Sequence, residues 1–130
     1  MPSFLTPLLK SRGTACRLSN SRNALVVASH VTGAFDSESR RHGLLGRDGF
    51  ERGHAMIIAP SNAVHTCFMK FPIDIVFASR DGRIVKAVSD VRPWRLAGAL
   101  RGYAVIELPA GTVARCDVRP GDVLTLAPAP

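Results

Sequence analysis

His65, Cys67 and Met69 stand two residues apart in the stretch VHTCFMKFPID, residues 64–74. Imidazole, thiolate and thioether are donors that copper(I) or zinc accept. A thiol beside an imidazole is also the starting material of a nucleophilic cysteine. On an extended strand alternate side chains share a face, so His65, Cys67 and Met69 would point one way and Val64, Thr66, Phe68 and Lys70 the other. A metal would need a further ligand, and His42, His54 and Asp74 are the candidates near in sequence, with no spacing that selects among them. The competing reading is core volume, since free cysteine is among the most buried residue types and methionine fills irregular gaps. We favour the core reading and expect neither a metal nor a cofactor. Metal-assisted or thiol-dependent catalysis by His65, Cys67 and Asp74 is the alternative.

Two further groups of residues could bind. Asp74 lies between Ile73 and Ile75, and a carboxylate rarely enters an apolar run without partners. It either caps backbone N–H groups or pairs with a cation, or it forms a polar rim with Lys70 near His42 and Arg47. The loop SDVRPWRLAGALRGY, residues 89–103, gathers Arg92, Arg95 and Arg101 around Trp94, the sole tryptophan. Guanidinium forks beside an indole suit a small anion, a sugar-like ring or an acidic protein partner. The expected ligand-binding set is therefore Lys70, Asp74, Arg92, Trp94, Arg95, His65 and Arg47.

The chain that must position these groups has 130 residues, the size of one domain. With 46% hydrophobic and 21% charged residues it is too apolar to be disordered. Its three cysteines are widely spaced and form no CxxC pair, which argues against a disulfide framework and fits a reducing compartment. The amino terminus has its charges after its short apolar run, unlike a secretory leader. No stretch approaches the roughly 20 apolar residues of a membrane span. A soluble, cytoplasmic protein is expected. Of the net charge of +7, residues 1–34 carry +4 without a single acid. Such a segment could attract nucleic acid, but no aromatic residues interleave with its charges to stack on bases, so nucleic acid is disfavoured.

The patterning favours strands at 24–31, 54–59, 64–70, 73–79, 83–91, 103–108 and 123–126. Arg80-Asp81-Gly82 predicts a hairpin between the fourth and fifth of these. Short helices are expected near 36–45, with Asp36 or Ser37 as N-cap, and over 111–118, started by Thr112. Many short strands with few helices give a mostly β, compact single-domain sandwich or small barrel with one or two short helices. Residues 1–23 are read as a partly ordered basic segment, 24–126 as the single β-rich domain and 127–130 as a tail.

HGLLGR (42–47), HTCFMKFPIDIVF (65–77), DGRIV (81–85), VIELPAG (105–111) and VRPGDVL (118–124), taken together in this order and spacing, resemble a bacterial and archaeal family, domain of unknown function 192. The likeness spans roughly residues 24–126. It implies a compact all-β sandwich with a short helix ahead of the Gly-Leu motif, and no established activity. Members of that family commonly have an aromatic where Cys67 or its neighbour stands, which implies that a thiol is not required there.

Overall fold

The runs IDIVFA and AVIELP contain almost no polar alternation, the pattern of strands covered on both faces. The computed structural model describes residues 3–10, 16–36, 38 and 48–128. In it these two runs are β6 (Ile73–Ala78) and β9 (Ala104–Pro109), each buried at every position. They are neighbours inside a five-stranded sheet ordered β3-β4-β9-β6-β7, with β3 at His30–Ala34, β4 at His54–Ile58 and β7 at Ile84–Val91. Every pairing is antiparallel except β3 with β4, where His30 lies opposite His54. A parallel pair needs a long crossover, which residues 35–53 supply.

One face of this sheet packs against a second, three-stranded sheet ordered β10-β1-β2, built from β1 (Cys16–Asn20), β2 (Val26–Ala28) and β10 (Leu124–Pro128). Ile57, Val76 and Ile106 meet Leu18, Val27 and Leu124 there, and helix α1 (Thr6–Lys10) adds Leu8. The other face presents Met56, Ile58, Ile73, Ile75, Phe77 and Val105, which Met69 and the half-buried Val64, Phe71 and Ala97 cover. Those last residues belong to or flank a two-stranded ribbon, β5 (Ala63–His65) with β8 (Leu96–Gly98). The result is a mostly β single domain, a sandwich with a thin outer ribbon and no closed barrel. No helix among the described residues is long and apolar enough to cross a membrane.

The hairpin predicted at Arg80-Asp81-Gly82 joins β6 to β7. Gly82 has φ +89°, and a Cβ there would stand 2.5 Å from the Leu124 carbonyl oxygen, so the position excludes any side chain. Two expectations differ from what forms. The run 24–31 divides at Ser29 into β2 and β3, one for each sheet. The strand expected over 64–70 stops at His65, and residues 66–69 turn away from it. Within residues 1–23 lie α1 and β1, and Leu5, Leu8, Cys16 and Leu18 are buried there. The helix expected near 36–45, together with His42 and Arg47, lies outside the described residues.

Two buried carboxylates bind distant parts of the chain. Asp74, on β6, accepts the Asp90 N–H at 2.8 Å through Oδ1. Its Oδ2 accepts the Gly111 N–H at 3.1 Å and the Val113 N–H at 2.8 Å. Asp90 has φ +53° and sits where the β6–β7 register shifts, so one oxygen fills a β-bulge. The other caps helix α2 (Thr112–Arg115), whose own N-cap, Gly111, has no side chain to offer. Asp122, before β10, accepts from Asn20 Nδ2 at 2.8 Å, Arg22 Nε at 2.7 Å and the Arg119 N–H at 2.9 Å. Arg22, counted above among the basic residues of the amino terminus, thus pairs with the far end of the chain.

Replacing Asp74 with alanine strands three N–H groups, and we expect a loss of about 3–5 kcal/mol in urea denaturation. Asp74→Asn, which keeps one acceptor oxygen, should lose less. Arg22 chiefly, then Asn20 and the Arg119 N–H, hold the Asp122 carboxyl down at about 2, from an ordinary 3.8. Because the folded value lies below the unfolded one, this stabilisation is present above about pH 4 and disappears as pH falls towards 2. Asp122→Ala should therefore be less stable at pH 7 by about 2–3 kcal/mol and show a shallower decline between pH 4 and pH 2. An unchanged acid limb would remove Asp122 from that role.

Candidate functional site

Thr66 is fully buried although its neighbours His65 and Phe68 are exposed. Its position explains the burial. It follows β5 and faces the loop 92–95 that joins β7 to β8. Its hydroxyl donates to the Arg92 carbonyl at 2.6 Å and accepts the Arg95 N–H at 2.9 Å. Its own N–H donates to the Arg95 carbonyl at 2.9 Å, and its carbonyl accepts the Trp94 N–H at 3.1 Å. A single threonine therefore knits together two turns almost thirty residues apart. Its carbonyl also accepts the Met69 N–H at 3.2 Å, which closes the 66–69 turn, and the Met69 side chain anchors that turn in the core.

At the tips of the two turns stand Phe68 and Trp94, with φ of +68° and +67°. Bulky L-residues pay about 1–2 kcal/mol in that left-handed region, and here both are held in it by the hydrogen bonds around Thr66. Their rings touch, with centroids 4.6 Å apart and planes inclined at 59°. Both remain open to solvent, Phe68 at 70% and Trp94 at 58% exposure. Leu96, opposite His65 in the ribbon, is 81% exposed, and Leu100, beyond β8, is 98% exposed. Arg92, Arg95 and Arg101 are exposed along the same stretch of chain. The arrangement presents apolar rings and branched side chains beside guanidinium groups.

The expected site residues divide accordingly. Trp94, Arg92 and Arg95 share one loop, and Thr66 brings it against the turn that follows His65. His65 is exposed, and its Nδ1 accepts the Cys67 N–H at 3.2 Å. Lys70 is also exposed, with Nζ 2.9 Å from Asp48 Oδ1, an ion pair open to solvent and worth little. Asp74 is not beside it on a rim. It is buried, and both its oxygens serve the bulge and the helix cap. Arg47 lies outside the described residues. His65, Cys67 and Met69 do not share a strand face, because the chain turns at residue 66; Met69 is core, Cys67 half-buried and His65 exposed. Among the described residues no group of three or more His, Cys, Asp or Glu is gathered in a way that could hold a metal ion.

Thr66 and Phe68 were missed as members of the site. Strict alternation assigns both to the face opposite His65, whereas one is buried and the other exposed. Pro72 is the available local signal that the strand could not simply continue, since proline cannot donate to a ladder. No glycine marks the turn, so its positive φ is hidden in the residue types.

Comparison with known proteins supports the fold. A protein of unknown function from Novosphingobium aromaticivorans DSM 12444 matches with a TM-score of 0.72 and 22% identity, over 84% of this chain and 81% of that one. A Sinorhizobium meliloti 1021 protein proposed as a transcription regulator matches with the same TM-score and 27% identity, over 84% of this chain and 89% of that one. No curated protein matches the sequence. Residues 18–126 match the uncharacterised family domain of unknown function 192, described as "Uncharacterized ACR". The chain belongs to that family.

Proposed function

We propose that the protein is a non-catalytic recognition module whose contact surface is the Phe68–Trp94 pair, flanked by His65, Arg92, Arg95 and Leu96. The observation that carries this reading is the exposure of two touching aromatic rings on backbone that is strained and yet fixed. Exposed rings cost solubility, and a positive φ at both costs folding energy. A scaffold that bears both costs while tying them to a buried threonine fits a surface kept for contact. The pair is prefixed in shape, so a ligand binding there orders little. Lys70 extends the positive border, while Asp74 acts from within the fold. The enzymatic alternative is disfavoured because Asp74, its proposed carboxylate, spends both oxygens on backbone groups. Cys16, Cys67 and Cys116, none of them in a disulfide, fit a reducing, cytoplasmic setting.

Trp94 is the only tryptophan, so its emission reports this surface directly. In a panel of acidic peptides, oligothymidine and neutral oligosaccharides, at least one member should shift that emission. The shift should vanish in Phe68→Ala, as a tyrosine- or label-based titration would confirm for Trp94→Ala. Each of these truncations should cost no more than about 1.5 kcal/mol of stability, the worth of an exposed aromatic pair. A loss of about 3–5 kcal/mol, the range of a core aromatic, would make the rings packing groups and end the proposal. Thr66→Val should behave differently. It strands the Arg92 carbonyl and the Arg95 N–H, costs about 1–3 kcal/mol, and weakens binding even though it touches no ligand.

A further inference from the structure

The geometry points to an acidic protein segment carrying large apolar side chains as the partner of this surface, an inference that rests on the recognition reading above. Charge supplies the first argument. Residues 61–73 and 91–103, which form both turns and the ribbon, contain Lys70, Arg92, Arg95 and Arg101 and no carboxylate. Asp48 reaches Lys70 from outside those segments, but the arginines on the Trp94 loop are exposed. The nearest acids in sequence do not offset them. Asp74 is buried under three N–H donors, and the exposed Asp90 offsets at most one of the three arginines. An occupant complementary to this field carries negative charge.

The apolar groups separate the classes of anionic occupant. A sugar or a nucleobase stacks on aromatic rings and gains little from isolated branched aliphatics. Here Leu96, two residues beyond Trp94, is more exposed than either ring. Aromatic and arginine residues with few acids and lysines match the composition of protein–protein contact surfaces. The inclination of 59° between the Phe68 and Trp94 rings also leaves no parallel slot for a base between them. Aliphatic or aromatic side chains of a partner would pack on Phe68, Trp94 and Leu96, while its carboxylates meet Arg92 and Arg95 in forked geometry.

The test is selection of a random twelve-residue peptide display library on the full chain, alongside the Phe68→Ala/Trp94→Ala double variant, whose charge is unchanged. Recovered peptides should be enriched in Asp and Glu and carry at least one large apolar residue, and the double variant should recover at most about a tenth as many. A recovered peptide should bind Arg92→Ala/Arg95→Ala at least about tenfold more weakly and weaken as salt rises. Peptides without acidic bias overturn the partner class and leave the surface standing. So does failure of the selection while oligothymidine quenches Trp94, which would assign the surface to single-stranded nucleic acid. Equal recovery on the double variant, or no response of Trp94 to peptides, oligothymidine or oligosaccharides, overturns both the partner class and the recognition surface.

Discussion

The Thr66 hydroxyl, buried between the Arg92 carbonyl and the Arg95 N–H, is the contact on which the exposed surface depends. A hydroxyl can donate and accept at once, and the site uses both capacities. Valine has the same shape and neither capacity. Without those bonds the Thr66 backbone alone, through its N–H to Arg95 and its carbonyl to Trp94 and Met69, would hold the two turns together. The scaffold beneath them is rigid for a different reason. β6 and β9 are covered on both faces, so the turns rest on a core that cannot shift without opening cavities.

Much of this architecture was legible because composition and geometry agreed. IDIVFA and AVIELP read as strands, and the Asp-Gly after β6 predicted a hairpin that Gly82 then makes. Asp74 could be read as a carboxylate needing backbone donors. What the sequence could not say is which donors, because Asp90, Gly111 and Val113 come together only through the bulge and the β9–α2 turn. The stretch 64–70 failed for a physical reason. Period-two patterning assumes an unbroken strand, and a seven-residue, mostly apolar run looks the same whether it runs straight or turns at its third residue. Strand β1 was missed for the opposite reason. CRLSN alternates correctly, but it has only Cys16 and Leu18 to bury and completes its inner face with Asn20, whose amide is satisfied by Asp122.

Asp74 and Asp122 also shape the outer electrostatics. Asp122 turns inward with Arg22, so that pair leaves the surface balance unaltered. Asp74 turns inward against neutral N–H groups and takes a negative charge out of solvent without removing a positive one. The sequence tally therefore gives the net charge and not where the exposed charges lie. Sequence-level charge counting placed the excess in the first quarter of the chain, where Arg22 proves to be paired. Arg92, Arg95 and Arg101, exposed and in no ion pair among the described residues, lie instead on the loop that carries Trp94.

Two costs meet at that place, and their coincidence bears on function more than either alone. An exposed indole by itself is ordinary, and a single non-glycine residue at positive φ is common enough in turns. Two aromatic residues that share both features, touch each other, and are held by one buried side chain amount to roughly 2–4 kcal/mol of backbone strain with no compensating burial of their rings. Local stability would be better served by glycine at either tip. Folding alone gives no reason to keep rings there, whereas the proposed contact surface would: fixed rings would lose little freedom on binding, and the arginines beside them would favour an anionic occupant.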